Sequence, residues 1–184
     1  MDMKKVVCSL VFSVAVLTGC AAPYTPAPQI LPSNVRKIYI RPFINNTTQY
    51  GLEEKLTLQV IDEFIRDGRL AVVNKEDQAN GVLVGEISKY ILQPLTYDAN
   101  NVAQQYKMWI LINVSLIDND HNVTLWTEPN MEGIEIYTDI TRPGGRAEVD
   151  VQADIWDTLS RAIVKRTIAG FGSVEGAEQK KVPQ

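Results

Sequence analysis

Apolar side chains at Leu52, Leu56, Val60, Ile61, Phe64 and Ile65 recur at spacings of three and four, the period of an amphipathic helix. Glu53 and Glu54 in the first turn and Arg66 in the last complement the helix dipole, and Gly68 is placed to cap the end. A second stripe, Val151, Ile155, Leu159, Ala162 and Ile163, predicts a closing helix over about Val149 to Ala169. Between them the period changes to two. Tyr106, Met108, Ile110, Ile112, Val114 and Leu116 alternate with Lys107, Trp109, Leu111, Asn113 and Ser115, which predicts a long strand with one buried face. Shorter strands are expected over Val35 to Phe43, ended by Pro42, over Leu70 to Val73, and over Val82 to Leu92, whose continuous apolar start suggests burial on both faces. Asn45 to Thr48 and Pro94 to Asn101 are predicted turns, and Lys75 to Asn80 a polar connection. The turn Asp118 to Asn122 leads into a hairpin partner, Val123 to Trp126 and Ile134 to Tyr137, expected to bend at Pro129.

The order is therefore β-α-β-β-β-β-α. Two helical stripes and one large sheet bury each other in an α+β two-layer sandwich: a mixed sheet of about four to five strands with both helices on one face. The other sheet face is left for work. This domain is expected over residues 35–172, followed by a polar tail at 173–184 expected to be disordered.

The first residues carry a different signal. Lys4 and Lys5 precede an almost wholly apolar run from Val6 to Val16, and Leu17-Thr18-Gly19-Cys20 closes it, so residues 1–19 form a cleaved secretory signal peptide. The run is shorter than the roughly 20 residues that a membrane-spanning helix needs. Leu17-Thr18-Gly19-Cys20 looks like a bacterial lipobox, which implies lipidation of Cys20. Buried acyl CH₂ groups are worth about 0.8 kcal/mol each, so several chains together give stable anchoring. Ala21 after the cysteine, in place of Asp, favours the outer membrane. Residues 20–34 then make a tether: Pro23, Pro26, Pro28 and Pro32 favour extended chain, about 3.1 Å per residue or some 35 Å from Ala21 to Pro32.

Charge and composition narrow the chemistry. Loss of Asp2, Lys4 and Lys5 with the leader takes the formal charge from −4 to −5, which speaks against nucleic acid as a partner. The only cysteines, Cys8 and Cys20, belong to the leader and the anchor, leaving no thiol for a disulfide, a zinc site or a nucleophile. Asp118, Asp120 and Asn122 copy the start of a calcium loop, but Val123 and Pro129 stand where Gly and Glu are needed. His121 has no nucleophile elbow to serve. Glu53 with Glu54 fits a helix start, and Glu132 with Glu135 a strand edge. Trp109, Trp126 and Trp156 are read as packing. The sequons at Asn46 and Asn113 carry little weight in a bacterial lipoprotein. No enzyme, cofactor or metal site is expected.

Several short stretches together resemble one family. They are Ile38-Tyr39-Ile40-Arg41-Pro42-Phe43 with Asn46 and Thr47, Gly51-Leu52-Glu53, Glu63-Phe64, Gly68-Arg69-Leu70, Ala79 with Leu83, Gly85-Glu86-Ile87, Tyr90, Tyr97-Asp98, Tyr106 and Leu125-Trp126. In order and spacing, from Cys20 to about Phe171, the chain resembles the lipopolysaccharide-assembly lipoproteins called LptE, in the divergent branch outside the enteric bacteria. It departs from them at Ala21-Ala22-Pro23 and at Asn80, where relatives carry Asp. The resemblance implies an outer-membrane lipoprotein that plugs the lumen of the β-barrel LptD one-to-one, helps it fold, and contacts lipopolysaccharide. It places that contact in the loops Tyr97 to Gln105 and Thr141 to Arg146, where Arg142 and Arg146 suit lipid phosphates. Arg36, Lys37 and Arg41 offer further cations on the first strand. The competing reading is a lipoprotein that activates or scaffolds another envelope machine, a peptidoglycan synthase or a secretion pore. The short tether speaks against the synthase. Substitution Cys20→Ser is expected to abolish metabolic labelling by palmitate and to release the protein from the membrane fraction, as measured by labelling and fractionation.

Overall fold

The computed structural model describes residues 31–169. Cys20, the leader, most of the tether and the tail at 173–184 lie outside the described residues. The elements are β1 (Lys37–Ile40), β2 (Ile44–Asn45), α1 (Leu52–Asp67), β3 (Ala71–Val72), a 3₁₀ turn (Glu76–Gln78), β4 (Gly81–Tyr97), β5 (Ala103–Asp118), β6 (Val123–Thr138) and α2 (Glu148–Ala169). The strands form one mixed sheet in the order β3-β1-β4-β5-β6, with β2 beside β4 further along. β1 is parallel to β3 and β4, and β4, β5 and β6 form an antiparallel meander. Helix α1 packs over β1, β2 and β4, α2 packs over β5 and β6, and the helices touch each other. This is the expected two-layer α+β sandwich, with six strands.

The inner face of β5 is the floor of the core: Met108, Ile110, Ile112, Val114 and Leu116 are buried, as the alternation predicts. Leu52, Leu56, Val60 and Phe64 descend from α1, and Val151, Ile155, Leu159 and Ile163 from α2. Ile65, counted in the α1 stripe, is instead exposed. Gly68 ends α1 in the left-handed conformation, its N–H donating to the Phe64 carbonyl. Thr57 ties α1 to the sheet, donating to the Glu53 carbonyl at 2.6 Å and accepting the Phe43 N–H at 3.0 Å.

Three expectations need correction, each because a neighbour decides what the local pattern cannot. The first strand is two: β1 stops at Ile40 and β2 resumes at Ile44, both along β4, with the Pro42 segment between them. Asn45, expected in a turn, is thus paired. β4 runs through Pro94 to Tyr97 instead of turning there. A proline is tolerated because β1 and β2 reach no further than Ile87, so from Lys89 on one edge of β4 pairs with nothing among the described strands. Finally, β6 is continuous past Pro129, its bulge absorbed where Asn130 takes φ 56° and its N–H donates to Asn113 Oδ1 at 2.8 Å. At the start of β4, Val82 and Leu83 are buried but Val84 is only half-buried.

The chain enters the domain beside the β5–β6 turn. Asn34 donates to Asp118 Oδ2 (3.3 Å) and Asp120 Oδ2 (3.5 Å), and Asn80 donates to Asp120 at 3.0 Å. An aspartate at position 80 would set two carboxylates against each other here, so Asn80 suits this turn. Asp118 also receives the N–H groups of Asp120 and His121 and faces the His121 ring at 3.0 Å. Burial pushes the Asp118 carboxyl up, but the bonds from His121, Asn34 and the two N–H groups outweigh it and hold it low. The Asp118 hydrogen bond and charge raise His121. This chain entry fixes one end of the molecule, the entry end.

Two outcomes follow from the packing. At Gly85 a Cβ would lie 2.3 Å from the Phe43 ring, and at Gly133 2.5 Å from Ile155, where α2 crosses β6. Gly85→Ala and Gly133→Ala should each cost about 1–3 kcal/mol by overpacking, measured as a lowered urea midpoint. The His121 contribution, from a raised folded-state pKa, is fully present below the free value of 6.5 and fades as pH rises through the folded value. The Asp118 contribution, from a lowered pKa, is present above 3.8 and fades as pH falls through the folded value. The midpoint gap between wild type and His121→Ala should therefore be widest between the free values of 3.8 and 6.5 and close as pH rises through the raised His121 value.

Candidate functional site

β4, β5 and β6 are far longer than β1 to β3, and the sheet carries two loops away from the entry end. At about 3.3 Å per residue, the sixteen residues of β5 separate the two ends by some 50 Å. At the far end lie the β4–β5 turn, residues 98–102, and the β6–α2 loop, residues 139–147. These are the loops in which the resemblance placed lipid contact, and the sheet register brings them together.

Each loop is held by its own aspartate. Asp98 Oδ1 accepts the N–H groups of Asn100 (2.8 Å) and Val102 (3.0 Å), closing the first turn around Asn101, at φ 60°. Asp139 Oδ1 accepts both the N–H and the hydroxyl of Thr141, at 2.9 and 2.6 Å. The loop then folds back, with the Arg142 N–H on the Asp139 carbonyl, the Gly145 N–H on the Arg142 carbonyl and the Arg146 N–H on the Thr138 carbonyl. The Asp139 N–H donates to the Gln104 carbonyl and joins the loop to β5.

The two candidate arginines do different things. Arg142 Nη2 reaches across to Asp98 Oδ2 at 2.9 Å, and its side chain stays 41% exposed. Arg146 Nη2 turns back onto α2, to Asp154 at 2.5 Å and the Asp150 carbonyl at 3.3 Å. The N–H groups of Val102 and Asn100, with the Arg142 charge, hold the Asp98 carboxyl below its usual range, so it is ionised at neutral pH. Large apolar side chains are exposed in and beside these two loops: Tyr97, Val102, Ile140 and Val149 are each more than half exposed. Beneath it the Tyr90 hydroxyl donates to Glu148 at 2.5 Å and accepts from Gln152 at 3.2 Å, pinning the start of α2 to β4. Burial first, and then the Glu148 bond, push the Tyr90 phenol up.

The first-strand cations do not join this site. Arg41 pairs with Glu76 at 2.7 Å, Arg36 donates to the Ser33 carbonyl at 3.4 Å, and Lys37 is exposed at the start of β1. Of the tryptophans, Trp126 and Trp156 are in the core. Trp109 lies on the outer sheet face between Lys107, whose Nζ is 4.7 Å from the ring centroid, and Glu132, which accepts its indole N–H at 3.0 Å. His121 and Asp118 belong to the entry end.

Comparison with known families matches residues 35–167, well over half of the chain, to the model described as LptE, lipopolysaccharide-assembly. The chain belongs to the LptE family. No curated protein matches it. Among solved structures, a protein of Xanthomonas campestris is similar at TM-score 0.52 and 13% identity, over 78% of this chain and 90% of its own. A PelC variant dodecamer from Paraburkholderia phytofirmans is similar at TM-score 0.50 and 12% identity, over 77% and 96%. At such identities the likeness is one of fold. In this LptE-family chain the resemblance singled out Tyr97-Asp98 but gave Asp98 no role. Its position in a turn, level with an arginine-bearing loop at the same end of a predicted meander, is the signal that points to it.

Proposed function

We propose that this LptE-family protein is an outer-membrane lipoprotein, anchored through Cys20, that assembles one-to-one with the β-barrel LptD and meets lipopolysaccharide at the end remote from its anchor. It performs no reaction; it holds, plugs and binds. The observation that carries this reading is the far end itself, where an exposed guanidinium at Arg142 stands among exposed Tyr97, Val102, Ile140 and Val149. Cation beside apolar surface is the complement of a phosphorylated lipid, because Arg binds phosphate oxygens bidentately while acyl chains need surface to cover. Arg146 acts in this reading as the frame of the loop.

The geometry suits a barrel plug. A body whose long strands reach about 50 Å can cross the roughly 30 Å hydrocarbon layer inside a lumen, whose wall is polar. The entry end then stays at the periplasmic leaflet, where a short tether would hold it, and the far end reaches the opposite side.

The test is to purify the tagged, lipidated protein from detergent-solubilised outer membranes, as wild type and as Arg142→Glu. Wild type should bring LptD at near one-to-one stoichiometry together with lipopolysaccharide. Arg142→Glu should keep the barrel and lose most of the lipopolysaccharide, by about ten-fold, as expected for reversing a charge that meets phosphate. Recovery of a peptidoglycan synthase or a secretion pore in place of the barrel would sink the proposal.

A further inference from the structure

We infer that Asp98 is an electrostatic latch on Arg142, which a phosphate-bearing amphiphile must displace, and that this competition sets an affinity threshold that only ligands binding the freed guanidinium strongly will pass. The inference rests on the reading of that end as the lipid-contacting one.

The two oxygens of Asp98 have separate duties. Oδ1 takes the Asn100 and Val102 N–H groups and so builds the turn; Oδ2 takes Arg142. The turn therefore stands without the arginine. On the other side, the loop from Asp139 to Arg146 is closed by Thr141 on Asp139, by its backbone bonds to Asp139, Arg142 and Thr138, and by Arg146 on Asp154. That loop stands without Asp98. Releasing the Arg142 guanidinium consequently unravels neither element, and the arginine can exchange one acceptor for another.

Which acceptor wins is a matter of charge and geometry. An exposed single-contact ion pair such as Arg142 with Asp98 is worth little in water. A phosphate monoester brings more charge and oxygens spaced for bidentate binding, so it outcompetes the carboxylate. A chloride or a lone carboxylate does not. Asp98 is thus a positioning residue that acts through Arg142, lowering the affinity of every anion by the same factor.

Asp98→Asn separates the two duties. The amide keeps a carbonyl oxygen for the turn and removes the charge that holds the arginine. Asp98→Ser, whose hydroxyl can take the same turn bonds, is the second variant. Full-length protein in detergent would be titrated with lipid A, with phosphatidylglycerol in mixed micelles and with inorganic pyrophosphate. Both Asp98 variants should bind lipid A about three- to five-fold tighter than wild type, the size expected on losing a competing surface ion pair. Their gain should vanish when Arg142→Ala is added. Phosphatidylglycerol, whose diester carries a single charge, should bind more weakly than lipid A to wild type and gain by the same factor from either variant. A gain for lipid A but not pyrophosphate would support the latch with the acyl chains part of the ligand, and a gain for both would support it with phosphate sufficient. Asp98 variants no tighter than wild type, with Arg142→Ala still losing lipid A, would overturn the latch and leave the far-end reading standing. Lipid A binding unchanged by Arg142→Ala would overturn both.

Discussion

Five side chains at every second position of β5, from Met108 to Leu116, form the middle of the core floor, over which α2 packs and on either side of which β4 and β6 pair. Each contributes on the order of 1.5–3 kcal/mol by leaving water. A slip of one residue would turn all five to the outer face, so the hydrophobic pattern fixes the register of β4 and β6 as well. Because β5 is longer than the helices need, its first residues, with the ends of β4 and β6, carry the Asp98 turn and the Arg142 loop beyond the packed layers. The position of the far end follows from the length of the core strand.

What could be read along the chain and what could not divides along that same line. The stripe from Leu52 to Phe64 and the alternation of β5 declare themselves locally, since each period has one burial solution. Ile65 fits the α1 stripe by spacing yet lies exposed, because nothing packs over that flank. Pro94 looks like a turn in isolation, and becomes a strand residue only because β2 stops opposite Ile87. The separation of β1 from β2 likewise depends on which residues of β4 lie opposite. The residue types at the site were legible, as exposed arginines in a glycine-bearing loop. Their partners were not: Arg142 meets Asp98 across 44 residues, and only the sheet register sets that meeting.

The two ends are built for different work. At the entry end, Asn34, Asn80, Asp118, Asp120 and His121 close on one another, so their polarity is spent within the chain. At the far end, Asp98 and Asp139 close the turns and leave a guanidinium and a rim of apolar side chains facing outward. Membership of the LptE family says which process this asymmetry serves. The asymmetry is what supports our proposal that the far end meets the lipid.

That claim is tested most directly by placing a photo-crosslinking amino acid in living cells at Val102, on the far end, and at Thr124, on the entry end. The account predicts an adduct with lipopolysaccharide from Val102 and none from Thr124. An adduct from Thr124 in the absence of one from Val102 would contradict it.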